Sequence, residues 1–197
     1  MTTQSINPGA SLAAPRRAPL LPNSILGMLM FVGAEVMFFA GLVSAFTVYR
    51  SSAAIWPPPD QPRLPLEETA LNTAALLASG AFLFFAARML RRGEREKASR
   101  WLLASILLGA FFVVFQGVEW AALIGDGLTL RSSNLGAFFY VIIGIHALHA
   151  VIALGLLAYA WLRLRSGFLP PTVLGATEVF WYFVVGVWPV LYLRVYL

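Results

Sequence analysis

The chain has 197 residues, of which 59% are hydrophobic and 12% charged, against about 45–50% and about 25% in an ordinary soluble domain. That much apolar surface cannot be hidden in one core of this size, so lipid must be the solvent and a soluble globule is excluded. With no cysteine, disulfides, thiolate metal sites, thioether-bound haem and iron–sulfur clusters are excluded too, and redox chemistry by this chain alone would rest on two histidines and nine acids.

Residues 1–22, rich in Ser, Pro and Ala, read as a flexible tail. Five apolar runs follow, at about 24–49, 68–90, 101–123, 135–162 and 173–197, each reaching the roughly 20 residues that a bilayer-spanning helix needs. The fold class is therefore all-α, a polytopic membrane protein with five transmembrane helices. The first run is longer than the apolar region of a signal peptide and carries Glu35, so it reads as a retained helix. Gly41 and Ala45 within it form a small-xxx-small face suited to close helix contact. The stretch from Trp56 to Pro65 holds five prolines and favours an extended, polyproline-like strap. Pro189 interrupts the last run and predicts a kink. Tyr49, Trp56, Trp101, Trp120, Trp161 and Tyr196 fall near predicted ends, as an interfacial belt does.

Ten of the fourteen basic residues lie in the N-terminal tail or in every second connection: Arg16, Arg17, Arg88, Arg91, Arg92, Arg95, Lys97, Arg100, Arg163 and Arg165. Arg50, Arg63, Arg131 and Arg194 occupy the other side. The positive-inside rule then places the N-terminus in the cytoplasm and the C-terminus in the periplasm. Topology thereby accounts for the net charge of +5, and no nucleic-acid partner is needed.

The informative polar residues within the spans are Glu35, Asn72, Gln116, Glu119, His146, His149 and Glu178. Such groups are expensive in hydrocarbon and face protein or water. Counting about 1.5 Å per residue from the cytoplasmic end of each run, Glu35 lies about 16 Å deep, His149 about 20 Å, His146 about 24 Å, Glu119 about 27 Å and Glu178 about 8 Å. Glu35 and His149 can meet; Glu119 and Glu178 cannot. A di-metal carboxylate centre needs its acids at one level and is disfavoured. A bis-histidine haem is disfavoured as well, because His146 and His149 stand three apart on one helix and point to nearly the same face. For Asn72, Gln116, Glu119 and Glu178 the expectation is a structural polar network between helices. Glu35, near mid-membrane, is the candidate functional carboxyl, with His149 and His146 beside it. No metal ligand and no catalytic residue is assigned.

Four stretches then carry a resemblance: Glu35-Val-Met-Phe-Phe-Ala-Gly, Leu71-Asn-Thr with Leu77-Ala-Ser-Gly, Phe115-Gln-Gly-Val-Glu-Trp, and Gly144-Ile-His-Ala-Leu-His. In this order, on consecutive helices, they resemble subunit III of the haem–copper respiratory oxidases, in a short five-helix bacterial form. The resemblance implies a subunit of the bacterial plasma membrane that itself holds no haem and no copper. Those centres lie in partner subunits I and II, and the assembly can extend to a respiratory supercomplex. It further implies bound structural phospholipid, packing on subunit I, and support of proton uptake and of the stability of the oxygen-reducing, proton-pumping complex. Glu35, His146 and His149 are its lipid- and proton-related interior. In the last helix the family usually has Tyr-Trp-His-Phe-Val-Asp, whereas this chain reads Phe180-Trp-Tyr-Phe-Val-Val-Gly, so roles of that histidine and aspartate do not transfer. The competing readings are a free-standing membrane oxidoreductase with a metal or haem on the His146/His149 face, and a homologue associated with nitric oxide reductase.

Overall fold

The computed structural model describes residues 22–54, 56 and 66–196. The N-terminal tail before Pro22, with Arg16 and Arg17, and the proline run apart from Trp56 lie outside the described residues. Five helices follow one another: α1 (Asn23–Ser52), α2 (Leu66–Arg91), α3 (Arg95–Gly125), α4 (Asn134–Arg165) and α5 (Pro171–Leu191), and a π-helical turn (Tyr192–Tyr196) extends the last. All five are long and apolar enough to cross a membrane. The helices outrun the apolar runs at several ends. α3 begins at Arg95, because the charged segment before Trp101 continues the helix into water, and it carries an Lys97–Glu94 ion pair there. Glu94 is held below the ordinary carboxylate range by its hydrogen bond to Lys97 and by that residue's charge.

Local chemistry explains the helix ends. α2, α3 and α4 all stop at a glycine with positive φ, Gly93, Gly127 and Gly167. In each case the glycine N–H bonds back three residues and the next N–H bonds back five, as in Gly93 N to the Leu90 carbonyl and Glu94 N to the Met89 carbonyl. This double bond-back satisfies carbonyls that would otherwise face lipid headgroups unpaired. Ser133 caps α4 by accepting from the Gly136 N–H at 3.0 Å, and Pro171 opens α5 where its missing N–H costs nothing.

Packing is uneven. α2 buries Thr69, Asn72, Leu76, Ser79 and Leu83, and α3 buries Leu102, Ser105, Gly109, Phe112, Gln116 and Glu119. Both stripes recur every three to four residues, the period of a single helix face, and the two antiparallel helices pair along them. α5 contacts α1, α2 and α4 and is the central helix, burying residues all along its length, including Trp181 and Trp188. The benzo edge of Trp181 abuts Gly109: a Cβ there would sit 2.7 Å from the indole and 2.8 Å from Leu154 Cδ2. α1, by contrast, buries only Phe39 and Phe46.

Three expectations change. Gly41 and Ala45 face outward, and a Cβ on Gly41 would meet open space; the close approaches are instead at Gly109, at Gly80 against Val185 and at Gly175 against Ile25. α5 continues through Pro189 to Leu191, and the irregularity is the wider π turn directly after it. Tyr196 is only 7% exposed, so it belongs to the interior and not to the interfacial belt. Burial of its ring against Phe139 and Trp188 explains the difference.

Candidate functional site

α1 lies over the groove between α4 and α5, and Glu35 is where it meets them. The Glu35 Oε2 atom is 3.3 Å from His149 Nε2. The pair is at ion-pair distance but off hydrogen-bond alignment. His149 is fixed from the other side, its Nδ1 lying 2.8 Å from the Ile145 carbonyl. A carbonyl only accepts, so Nδ1 carries the hydrogen, and Nε2 is the ring nitrogen nearest Glu35.

Four phenyl rings enclose this contact. Phe39, Phe180 and Phe183 have centroids 5.7–6.0 Å from the His149 ring, and Phe31 lies at 6.5 Å. The low polarity of these surroundings strengthens the electrostatic interaction at the contact. Phe180 and Phe183 come from α5, so three helices build the site: the carboxyl from α1, the imidazole from α4, and half the enclosure from α5.

His146 does not join them. Its ring is 1% exposed, packs against Trp188 at 5.1 Å and 31° between planes, and meets Phe39 and Phe112 edgewise. Neither ring nitrogen has a hydrogen-bond partner. The expectation that it sits beside Glu35 is thus corrected: one helical turn toward the C-terminal end of α5, it faces α3 and α5. A cavity of about 160 Å³ borders the ring, walled by Phe112, Gln116, Trp120 and Trp188. Among the described residues no group of three or more His, Asp or Glu side chains is placed to hold a metal ion.

The remaining polar residues separate into rungs between α2, α3 and α5. At one rung Thr69 Oγ1 donates to both carboxylate oxygens of Glu119 at 3.1 and 3.2 Å, while Gln116 Nε2 donates to Glu119 Oε2 at 2.8 Å and to the Tyr196 hydroxyl at 3.0 Å. Asn72 stands apart, donating to the Phe112 carbonyl at 3.2 Å. Trp188 Nε1 donates to Thr73 Oγ1 at 2.8 Å. In mid-span Trp181 Nε1 donates to Ser79 Oγ at 3.1 Å, and Ser79 and Ser105 exchange hydrogen bonds with each other's carbonyls. Glu178 does not belong to this network: it lies in the opposite half of the bundle from Glu119, and the charge acting on it is Arg91 at the end of α2. From sequence, Thr69, Thr73, Ser79 and Ser105 are given no part in the polar network, and Tyr196 is placed only in the interfacial belt. For α2 a signal exists: Thr69, Asn72, Thr73 and Ser79 recur at helical spacing as a small polar stripe in an otherwise apolar span.

A model of the family described as cytochrome c oxidase subunit III matches residues 20–197. The chain belongs to the cytochrome c oxidase subunit III family. It is 33% identical over its whole length to the probable cytochrome c oxidase subunit 3 of Nocardia farcinica, covering 98% of that protein. It is 34% identical over 90% of its length to cytochrome c oxidase subunit 3 of Pelomedusa subrufa and 37% identical over 86% to that of Gadus morhua, covering 71% and 67% of those longer proteins. Membership of the subunit III family makes the chain a multi-pass membrane component that associates with other oxidase subunits. Within it, the Glu35–His149 contact joins two of the stretches that carried the resemblance, one from α1 and one from α4.

Proposed function

We propose that this chain serves as subunit III of a haem–copper terminal oxidase in an aerobic respiratory chain, seated in a bacterial plasma membrane with its basic end in the cytoplasm. It packs on subunit I, leaves haem and copper to subunits I and II, binds phospholipid, and sustains proton uptake and the working life of the catalytic subunit. The observation that carries this reading is Glu35 facing His149 at 3.3 Å inside a ring of phenylalanines. An acid near mid-membrane with one polar neighbour among the described residues is too costly to keep as packing alone, and three helices are spent on enclosing it.

A second feature supports the lipid part. Beside the pair, between α1 and α5, runs a groove of about 500 Å³ lined by Val36, Phe39, Val43, Val187 and Val190 and ending at Arg194. An apolar trough that ends on a cation is complementary to an acyl chain and its phosphate. The experiment is to assemble the oxidase with Glu35→Ala and follow its activity through many turnovers while counting bound phospholipid. The reading predicts faster loss of activity during turnover and fewer lipids retained; an unchanged lifetime with unchanged lipid content defeats it.

A further inference from the structure

At the basic end, the start of α3 and the end of α4 form a second groove, of about 510 Å³, unlike the one beside Glu35. Three guanidiniums, of Arg95, Arg100 and Arg165, stand around it against one carboxylate, Glu96. Glu96 reaches Arg100 only at 3.7 Å, with both side chains almost fully in solvent, so it neutralises little. Two of the arginines are held in place. Arg95 Nη2 donates to the Gly167 carbonyl at 2.8 Å across the groove, and the Arg165 guanidinium lies 5.2 Å over the Trp161 indole. Trp161 is fixed in turn, its Nε1 donating to Ser99 Oγ at 3.1 Å. These contacts use one N–H of Arg95 and the flat face of Arg165, and leave the remaining donors of both forks directed to an anion.

What lies below the groove decides the kind of anion. Trp161 forms its wall at the depth where indoles mark the boundary between headgroups and hydrocarbon. On α3, Leu103 lines the groove and Leu107 follows one turn deeper, 36% and 61% exposed, giving a continuous apolar track running down from the arginines. A free phosphate needs only the cations; an acidic phospholipid uses cations and track together. We propose that this groove between α3 and α4 binds the phosphate headgroup of an acidic phospholipid of the leaflet at the basic end, with Arg95, Arg100 and Arg165 on the headgroup and Leu103 and Leu107 under an acyl chain. This rests on the lipid-binding part of the function proposed above, but it concerns a different helix pair and the opposite leaflet from Arg194.

The full chain, purified in a mild non-ionic detergent, is titrated with phosphatidylglycerol and separately with phosphatidylcholine, and retained lipid is read by native mass spectrometry. Wild type should retain phosphatidylglycerol preferentially. Arg165→Gln should weaken that retention about fivefold, the effect of losing one cation near a lipid headgroup, and phosphatidylcholine retention should be unchanged. Arg100→Gln, at a site almost wholly in solvent, should show a smaller loss in the same direction and guards against misfolding of the Arg165 variant. Added inorganic phosphate should displace little lipid. Equal retention in wild type and both variants overturns the assignment, as does full displacement by phosphate, which would make the ligand a soluble anion. Variants that keep their lipid but release a partner subunit from the assembled oxidase would make the groove a protein interface, and the proposal would fail. Loss of all lipid binding in wild type would overturn the assignment and sink the broader lipid reading with it.

Discussion

The seam of α2, α3 and α5 and the attachment of α1 solve the same problem, holding apolar helices together in a solvent as apolar as they are, in opposite ways. The seam is close-packed and laced with hydrogen bonds: indoles lie on glycine, and Thr, Ser, Gln and Glu side chains find partners across the interface. In the most apolar stretch of α1 only 6% of residues are buried, against 28–44% in the other helices. One interhelical polar contact of α1 is Glu35 with His149. Without a hydrophobic driving force between helices, shape and polar contacts do the holding, so the seam is held along its length while α1 rests on aromatic rings and the Glu35–His149 contact.

Changes in the two regions should therefore differ in size. Gly109→Ala drives a methyl into Trp181 and Leu154 and should cost roughly 1–3 kcal/mol, seen as a lowered unfolding midpoint in detergent. The same substitution at Gly41, where a Cβ meets open space, should leave the midpoint within about 0.5 kcal/mol. If the two glycines respond alike, the contrast between seam and α1 is wrong. Glu119→Ala removes the acceptor for Thr69 and Gln116 and should destabilise by about 1–3 kcal/mol, with Glu119→Gln milder because it still accepts. Trp188→Phe gives up the bond to Thr73 and should cost about 0.6 kcal/mol, the usual worth of an interhelical bond in a membrane. The smallest effect lies outside the bilayer. Glu94 has its carboxyl held below the ordinary value of 4.5 by Lys97, so its contribution is present above pH 4.5 and is lost as pH falls through the lowered value. Glu94→Gln should abolish that slight acid-side dependence and leave neutral-pH stability nearly unchanged.

Much of this was legible in the residues. Five spans follow from apolar length, and the meeting of Glu35 with His149 follows from counting depth along two helices. What depth counting cannot supply is rotation. His146, three residues from His149, was expected beside Glu35, yet it turns to Phe112 and Trp188, because one turn of height and about 60° of azimuth are enough to carry a side chain from one interhelical contact to the next. The spans are apolar nearly all round, so no hydrophobic face announces which side meets which neighbour. Gly41 and Gly109 look alike as letters; only the facing indole of Trp181 separates a close approach from bare lipid-facing surface. Tyr196 was placed at the interface by its position near the chain end, and was drawn inward by Gln116 and the aromatic packing of the π turn.

The central claim is that Glu35 and His149 act as one unit in sustaining the oxidase. A double-mutant cycle tests it: Glu35→Gln, His149→Asn and the two together, each in the assembled oxidase, with the rate of activity loss during turnover as the readout. If the pair is the unit, each single variant shortens the working life and the double variant is no worse than the more severe single one. Effects that simply multiply, or lifetimes equal to wild type in all three, would contradict it.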